Sequence, residues 1–261
     1  MKFKWRKENS MNIKPSHIAK FIISCMTGII LIAGCTSLPK FNQKVYGSGN
    51  VVKETRVLQD FTEVVLSEEG DLFIEIGNQN KLVIEAEDNL QEYLIPETGD
   101  NVLDIKKLPE NITLNGTKPI RYYLTVKELK SLTGKNSGDV NITEVYTDSF
   151  SVRITGSGSV HIGKLYAQHL EIELTSSGNL TIDSGEAEEQ LVKLSSSGEY
   201  NGKNVACKTA YVALTSSGDA TLNVLEDLTA DLSSSGNVYY LGSPKVVYND
   251  SSSTGRARSL P

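Results

Sequence analysis

The chain has 261 residues, of which 39% are hydrophobic, 22% charged and 7% aromatic. It is too apolar for a disordered polymer and long enough for one large β domain or two ordinary ones. The first 34 residues carry six Lys/Arg and one Glu, so residues 35–261 hold 20 basic against 31 acidic groups. An acidic body argues against nucleic acid as a partner, because phosphate binding needs clustered Lys/Arg.

Lys14, His17 and Lys20 precede an uncharged stretch, Phe21 to Gly34, that ends at Cys35. A basic start, a short apolar core and small closing residues describe an export signal. The run is too short for a permanent membrane span, which needs about 20 apolar residues. Ile32-Ala33-Gly34-Cys35 resembles the lipobox of bacterial lipoproteins. That resemblance implies a lipoprotein signal peptide over residues 1–34, cut before a diacylglyceryl-modified Cys35, with Met1 or Met11 as the start. Several acyl chains anchor durably where one alone is marginal, so the membrane is the expected partner of Cys35. Thr36, where an Asp would favour inner-membrane retention, points to the outer membrane, facing either the periplasm or the surface. Cys25 leaves with the leader and Cys35 is blocked by lipid, which leaves Cys207 without an intrachain disulfide partner. Residues 35–44 carry no apolar periodicity and read as the lipidated cysteine and a short tether.

Residues 45–134 are β-rich but irregular. Val64–Leu66, Leu72–Ile76, Leu82–Ile84, Val102–Ile105 and Tyr122–Val126 alternate as strands. Asp88 to Leu94 is expected to form one helical turn. This part is expected to continue or cap the repeats that follow, with a separate β domain as the alternative.

From residue 135 to 255, Ser-Gly recurs at a nearly fixed interval. Glycines fall at 138, 158, 178, 198, 218, 236 and 255, in steps of 20, 20, 20, 20, 18 and 19. A fixed period of this size means one structural unit stacked on copies of itself. Two and four residues after the glycine come Val140/Ile142, Val160/Ile162, Leu180/Ile182 and Ala220/Leu222. Seven after it come Val145, Leu165, Val205 and Leu225, with Gly185 the exception. Twelve to sixteen after it come groups such as Phe150/Val152/Ile154 and Leu170/Ile172/Leu174. Spacing by two inside each group is strand periodicity. Three short strands per unit, each with one inward face, make a triangular coil whose copies share a core. The predicted fold is therefore all-β, a right-handed single-stranded parallel β-helix. A leucine-rich repeat is excluded because its LxxLxLxxN register is absent. Residues 256–261 read as a C-terminal tail.

The register places Cys207 in a column with Thr147, Ala167 and Ala187, where a small buried hydrophobe is expected. At the corners, Ser177-Gly178, Ser197-Gly198 and Ser217-Gly218 are expected to be structural. The glycines would supply a positive φ, the serines would stack as hydroxyl columns, and a following Asp or Asn would make an Asx-type turn.

Four segments carry a wider resemblance: Gly47-Ser-Gly-Asn-Val-Val52, Ile84-Glu-Ala-Glu-Asp-Asn-Leu90, Lys118-Pro-Ile120 and Tyr239-Tyr-Leu-Gly-Ser-Pro-Lys-Val-Val247. With the serial Ser-Gly-Asp/Asn corners, they resemble the bacterial family named "putative auto-transporter adhesin, head GIN domain", over about residues 45–255. The resemblance implies a right-handed parallel β-helix, often a lipoprotein, with no established activity. Ser159 and Glu199 depart from the family's acid or amide at the corner.

Chemistry-bearing patterns are sparse. The mature chain has two histidines, His161 and His169, both at outward positions, and no HExxH, GxSxG or phosphate-loop spacing. Asp139, Glu199 and Asp219 form a candidate polar or cation strip. Glu199 and Asp219 fall on successive coils, at about the 4.8 Å strand spacing, near the roughly 5–5.5 Å of a retaining glycosidase pair. Solvated turn residues are the simpler expectation. No catalytic residue, metal or cofactor is expected. The sequence thus predicts a non-catalytic, lipid-anchored envelope module, an adhesin or surface-binding protein for a glycan or protein ligand. A periplasm-facing sensor accessory and a carbohydrate-active enzyme are the alternatives.

Overall fold

The computed structural model describes residues 43–250 and 254–261; the expected signal peptide, Cys35 and residues 36–42 of the expected tether lie outside the described residues. Before residue 135 the alternating apolar residues form β1 (Gln43–Tyr46), β2 (Val51–Val57), β3 (Glu63–Leu66), β4 (Asp71–Ile76) and β5 (Lys81–Glu87), then β6 (Leu94–Gly99), β7 (Val102–Lys107), β8 (Ile112–Asn115), β9 (Arg121–Val126) and β10 (Ser131–Gly134). The expected helical turn is a 3₁₀ turn at Asp88–Leu90. The repeats form β11 (Val140–Ile154), β12 (Val160–Leu174), β13 (Leu180–Leu194), β14 (Tyr200–Leu214) and β15 (Ala220–Leu232), closed by β16 (Val238–Leu241), β17 (Lys245–Asp250) and β18 (Ala257–Ser259). The result is a parallel β-solenoid of about six turns, with roughly 20 residues per coil.

Consecutive coils pair in parallel, residue n with n+20: Val140 with Val160, Val160 with Leu180, Leu180 with Tyr200. The three groups of a coil are not separate strands but one ladder, 15 residues long in β11 to β14 and 13 in β15. In β11 the buried positions are 140, 142, 145, 150, 152 and 154; the alternation slips after 142 and again before 150, where the ladder turns. One apolar cluster runs without a break from Phe61 to Val238. Ile172 and Val212, fourteen after their corner glycines, are completely buried. Each such aliphatic side chain contributes about 1.5–3 kcal/mol by leaving water.

Three departures from the predicted register have physical reasons. Gly185 stands opposite Leu165 and Val205 with φ 151°; a Cβ there would lie 1.9 Å from the Leu165 carbonyl oxygen. Its neighbourhood is filled instead by the buried Tyr200, whose hydroxyl donates to Gln190 Oε1 at 2.9 Å. Gly202 makes room for that hydroxyl. Leu225, expected inside, is 53% exposed, and Val224 is buried in its place. The step from Gly218 to Gly236 is only 18 residues, and the ladder between β14 and β15 shifts register before Ala206 and after Cys207 to absorb the deficit. Residues 257–259 are not a tail: β18 pairs in parallel with β16 and adds a further rung.

The corner glycines correct the sequence reading as well. None of those at 138, 158, 178, 198, 218, 236 and 255 has a left-handed φ. Their requirement is close approach: a Cβ on Gly198 would lie 2.3 Å from the Gly178 carbonyl oxygen, and one on Gly218 2.2 Å from that of Gly198.

The N-terminal half shares the core but not the winding order. β3 lies between β7 and β10, and β4 between β9 and β11. The chain lays down β3 and β4, leaves to build the end of the rod, and returns on their other side. Antiparallel pairs β2–β5, β5–β9 and β6–β7 close that end. Three of the family-like segments meet there on one carboxylate. Glu87 is buried and accepts from Gly49 N at 2.6 Å, Thr117 N at 2.8 Å and Thr117 Oγ1 at 2.7 Å. Asp88 beside it accepts from the Ser48 hydroxyl and from Asn50 Nδ2 at 2.9 Å. A side chain on Gly47 would collide with Glu87.

Two predictions follow from this packing. Gly198→Ala should destabilise by about 1–3 kcal/mol of overpacking, a fall of roughly 2–4 °C in Tm per kcal/mol. Gly134→Ala, whose Cβ would meet nothing within 4 Å, should leave the melting curve unchanged. The Thr117 hydroxyl holds the Glu87 carboxyl below its usual range, so its contribution is full above the unfolded pKa and lost as pH falls through the folded one. Between about pH 5 and about pH 3, the wild-type Tm should therefore fall more steeply than that of Glu87→Gln.

Candidate binding surface

The corner strip is built by stacking. Asp139 Oδ1 accepts from Ser159 N at 2.8 Å, Asn179 Oδ1 from Glu199 N at 2.9 Å, and Asp219 Oδ1 from Asn237 N at 2.6 Å. Asn237 Oδ1 accepts in turn from Arg256 N at 3.2 Å. The Asp or Asn after each glycine thus caps the backbone of the following coil rather than its own turn. At the corners occupied by Ser159 and Glu199 this bond is not made. The Asp219 carboxylate is directed at Asn237, the next coil on, while Glu199, one coil back, is exposed. Ser177 and Ser197 hydroxyls lie 3.4 Å apart, and the Ser196 hydroxyl donates to the Ser176 carbonyl. Among the described residues, no three His, Cys, Asp or Glu side chains gather as a metal ion would require.

Cys207 is buried and donates to the Asn223 carbonyl at 3.4 Å. Burial pushes its thiol up to about 12, which leaves essentially no thiolate at neutral pH.

The outward faces differ sharply. On one flank, strands β2, β5, β9, β4 and β11 through β16 align a single column: Thr55, Val83, Tyr123, Phe73, Asn141, His161, Thr181, Asn201, Thr221 and Tyr239. No Asp, Glu, Lys or Arg interrupts these ten positions, which extend about 43 Å at about 4.8 Å per strand; the next rung, on β18, is Arg258. Phe73 and Tyr123 stack with centroids 5.4 Å apart and planes at 17°. Lys53 Nζ sits 5.0 Å from the Tyr123 centroid. Lys53 also pairs with Glu85 at 2.9 Å, as Arg121 does at 3.0 Å, and mainly Lys53 holds the Glu85 carboxyl below its usual range. A cleft of about 340 Å³ opens beside Phe73, lined also by Glu75, Asn141, Thr143, His161 and Gly163.

The second flank is charged. Arg153 pairs with Glu173 at 2.6 Å and Lys193 with Glu171 at 3.2 Å, around a groove of about 490 Å³ that includes His169, Glu189, Tyr211 and Asp227. On the third side, Tyr146 and Tyr166 stack at 5.3 Å with planes at 4°, and Lys208 pairs with Glu188 at 2.8 Å. The two histidines are outward as the register placed them, but each meets an acid: His161 Nε2 lies 2.8 Å from Asp183 and His169 Nδ1 3.1 Å from Glu189. Sequence reasoning missed the Phe73–Tyr123 pair, because only the interleaved β4 brings residues 73, 123 and 141 side by side. Its signal was partial: Asn141, His161, Thr181, Asn201 and Thr221 all stand three after a corner glycine.

The fold is that of a parallel β-solenoid with a filled interior and differently patterned outer sheets. The chain belongs to the family described as "putative auto-transporter adhesin, head GIN domain", which matches residues 60–244. Its fold is similar to that of a crystal structure described as a "putative adhesin" from Bacteroides fragilis, with TM-score 0.78 and 20% identity, covering 83% of this chain and all of that one. A "putative adhesin" from Parabacteroides merdae (TM-score 0.69, 17% identity) and a "putative lipid binding protein" from Parabacteroides distasonis (TM-score 0.69, 21% identity) are similar too. Each match covers 84% of this chain and the whole of the other. At these identities the likeness is one of fold. No protein of curated function matches the chain.

The corner ladder makes a specific prediction. Asp219→Asn keeps the acceptor for Asn237 N and should melt like wild type. Asp219→Ala leaves that donor without its partner and should cost about 1 kcal/mol by thermal denaturation. Glu199→Gln should change nothing.

Proposed function

We propose that this protein is a non-catalytic, lipid-anchored module of the bacterial envelope. It is exported, held at the outer membrane through acylated Cys35, and presents its solenoid to a glycan or protein ligand. The observation that carries this reading is the filled interior. Apolar side chains occupy it from Phe61 to Val238, so the large surfaces for recognition are the outward sheets. Membership of an adhesin-named family supports it, as does the lipobox-like Ile32–Cys35. The filled interior argues against a buried acyl chain, despite the name of one structural relative.

Cys35→Ser should leave the protein soluble or unprocessed, read by membrane fractionation and by mass spectrometry of the N-terminus. Acylated, membrane-held mutant protein would overturn the anchor. Protease added to intact cells should cut a surface-facing domain and spare a periplasm-facing one.

A further inference from the structure

The outward sheets are not equivalent, and the difference points to a ligand. Phe73 has Tyr123 on one side. On its other side the next position in the column is Asn141, and the two residues line the cleft together. One strand further stands His161, so the two rings are separated by two strand spacings, about 10 Å. Two van der Waals contacts of about 3.5–4.0 Å each leave room between them for one puckered saturated ring standing on edge. Gly163 also lines the cleft.

We propose that the cleft between Phe73 and His161 is a subsite for one ring of a neutral saccharide, and that the uncharged column beyond it is the track of a linear neutral glycan. This rests on the surface-binding reading above and names its ligand and its place.

The chemistry matches a sugar on three counts. An apolar ring face suits the C–H face of a pyranose, while the Asn141 amide, Thr143 hydroxyl and Glu75 carboxylate offer donors and acceptors to its hydroxyls. Along the track, Thr181, Asn201 and Thr221 repeat such groups at about 4.8 Å intervals. The neighbouring acids have partners: Asp183 Oδ2 lies 2.8 Å from His161 Nε2, Glu85 is paired with Lys53 and Arg121, and Glu75 Oε1 accepts from the Thr125 hydroxyl at 3.0 Å. The ten-residue column itself carries no cation: Lys53, over the Tyr123 ring, is paired with Glu85, and Arg258 stands one rung beyond Tyr239 at the far end, whereas the opposite flank carries Arg153 and Lys193. An extended peptide is disfavoured at the cleft because its strands β4, β11 and β12 are paired on both sides, so their backbones cannot accept an added strand.

The test uses the full chain in detergent micelles on an array of neutral oligosaccharides (glucans, mannans, galactans) and acidic ones bearing uronate or sulfate. Neutral oligosaccharides should bind. Phe73→Ala and Asn141→Arg should each weaken binding by about tenfold or more, equivalent to about 1.4 kcal/mol. Tyr146→Ala, on the third side, should leave binding unchanged. Asn141→Arg blocks the cleft while keeping Phe73 packed, and the melting curve of each variant verifies its fold. Preference for the acidic set, or equal binding by wild type and both cleft variants, would overturn the assignment. Silence across the array from a protein whose cells still adhere would remove the glycan site and leave the surface-binding reading intact; silence with loss of adhesion would remove both.

Discussion

Everything regular in this molecule depends on one close approach. At each corner a glycine carbonyl oxygen occupies the place where a Cβ of the next coil would be, with 1.9 Å between the two at Gly138 and 2.3 Å at Gly198 and Gly236. No other residue fits without movement of backbone, so the corners lock into a column and neighbouring coils sit at strand separation. That lock sets residue n beside n+20, and everything a position does is repeated one coil further on. The Asp or Asn after the glycine exploits this by reaching the following coil's amide.

The same register divides inside from outside, and the interior is stricter about volume than about residue type. Where Gly185 removes a side chain, Tyr200 and Gln190 supply one and satisfy each other's polar groups, as a buried hydroxyl and amide must. Where a coil is two residues short, the ladder shifts and exchanges Leu225 for Val224 rather than leave a void. A close-packed core cannot average over such changes, so each irregularity in the repeat has a matching one beside it.

The N-terminal half adds what the repeats cannot. A solenoid made only of successive coils would align only residues about 20 apart. By returning on the far side of β3 and β4, the chain places Phe73 and Tyr123 in line with Asn141 and His161. The arrangement is pinned by Glu87, whose carboxylate gathers three loops. An aromatic pair, a short amide and a run of hydroxyls thereby become one uncharged surface on an otherwise acidic protein.

The amino-acid sequence by itself determined the period, the inward residues of β11 to β15 apart from the exchange of Leu225 for Val224, the parallel solenoid and the burial of Cys207. These follow from local alternation and a fixed interval, both visible in one dimension. It also marked the segments around Gly47, Glu87 and Lys118 as related, without showing that they touch. Tertiary structure alone decided the reason for the corner glycines, since a clash with the preceding coil leaves no trace in a residue's own φ. It decided too that Asp219 reaches the backbone of the next coil, while Glu199, one coil back, stands exposed. Above all it decided the order of β3 and β4 among their neighbours, and with it the column through Phe73. Strand pairing between distant segments depends on which edges remain free when each is laid down, and that is a property of the folded chain rather than of any segment within it.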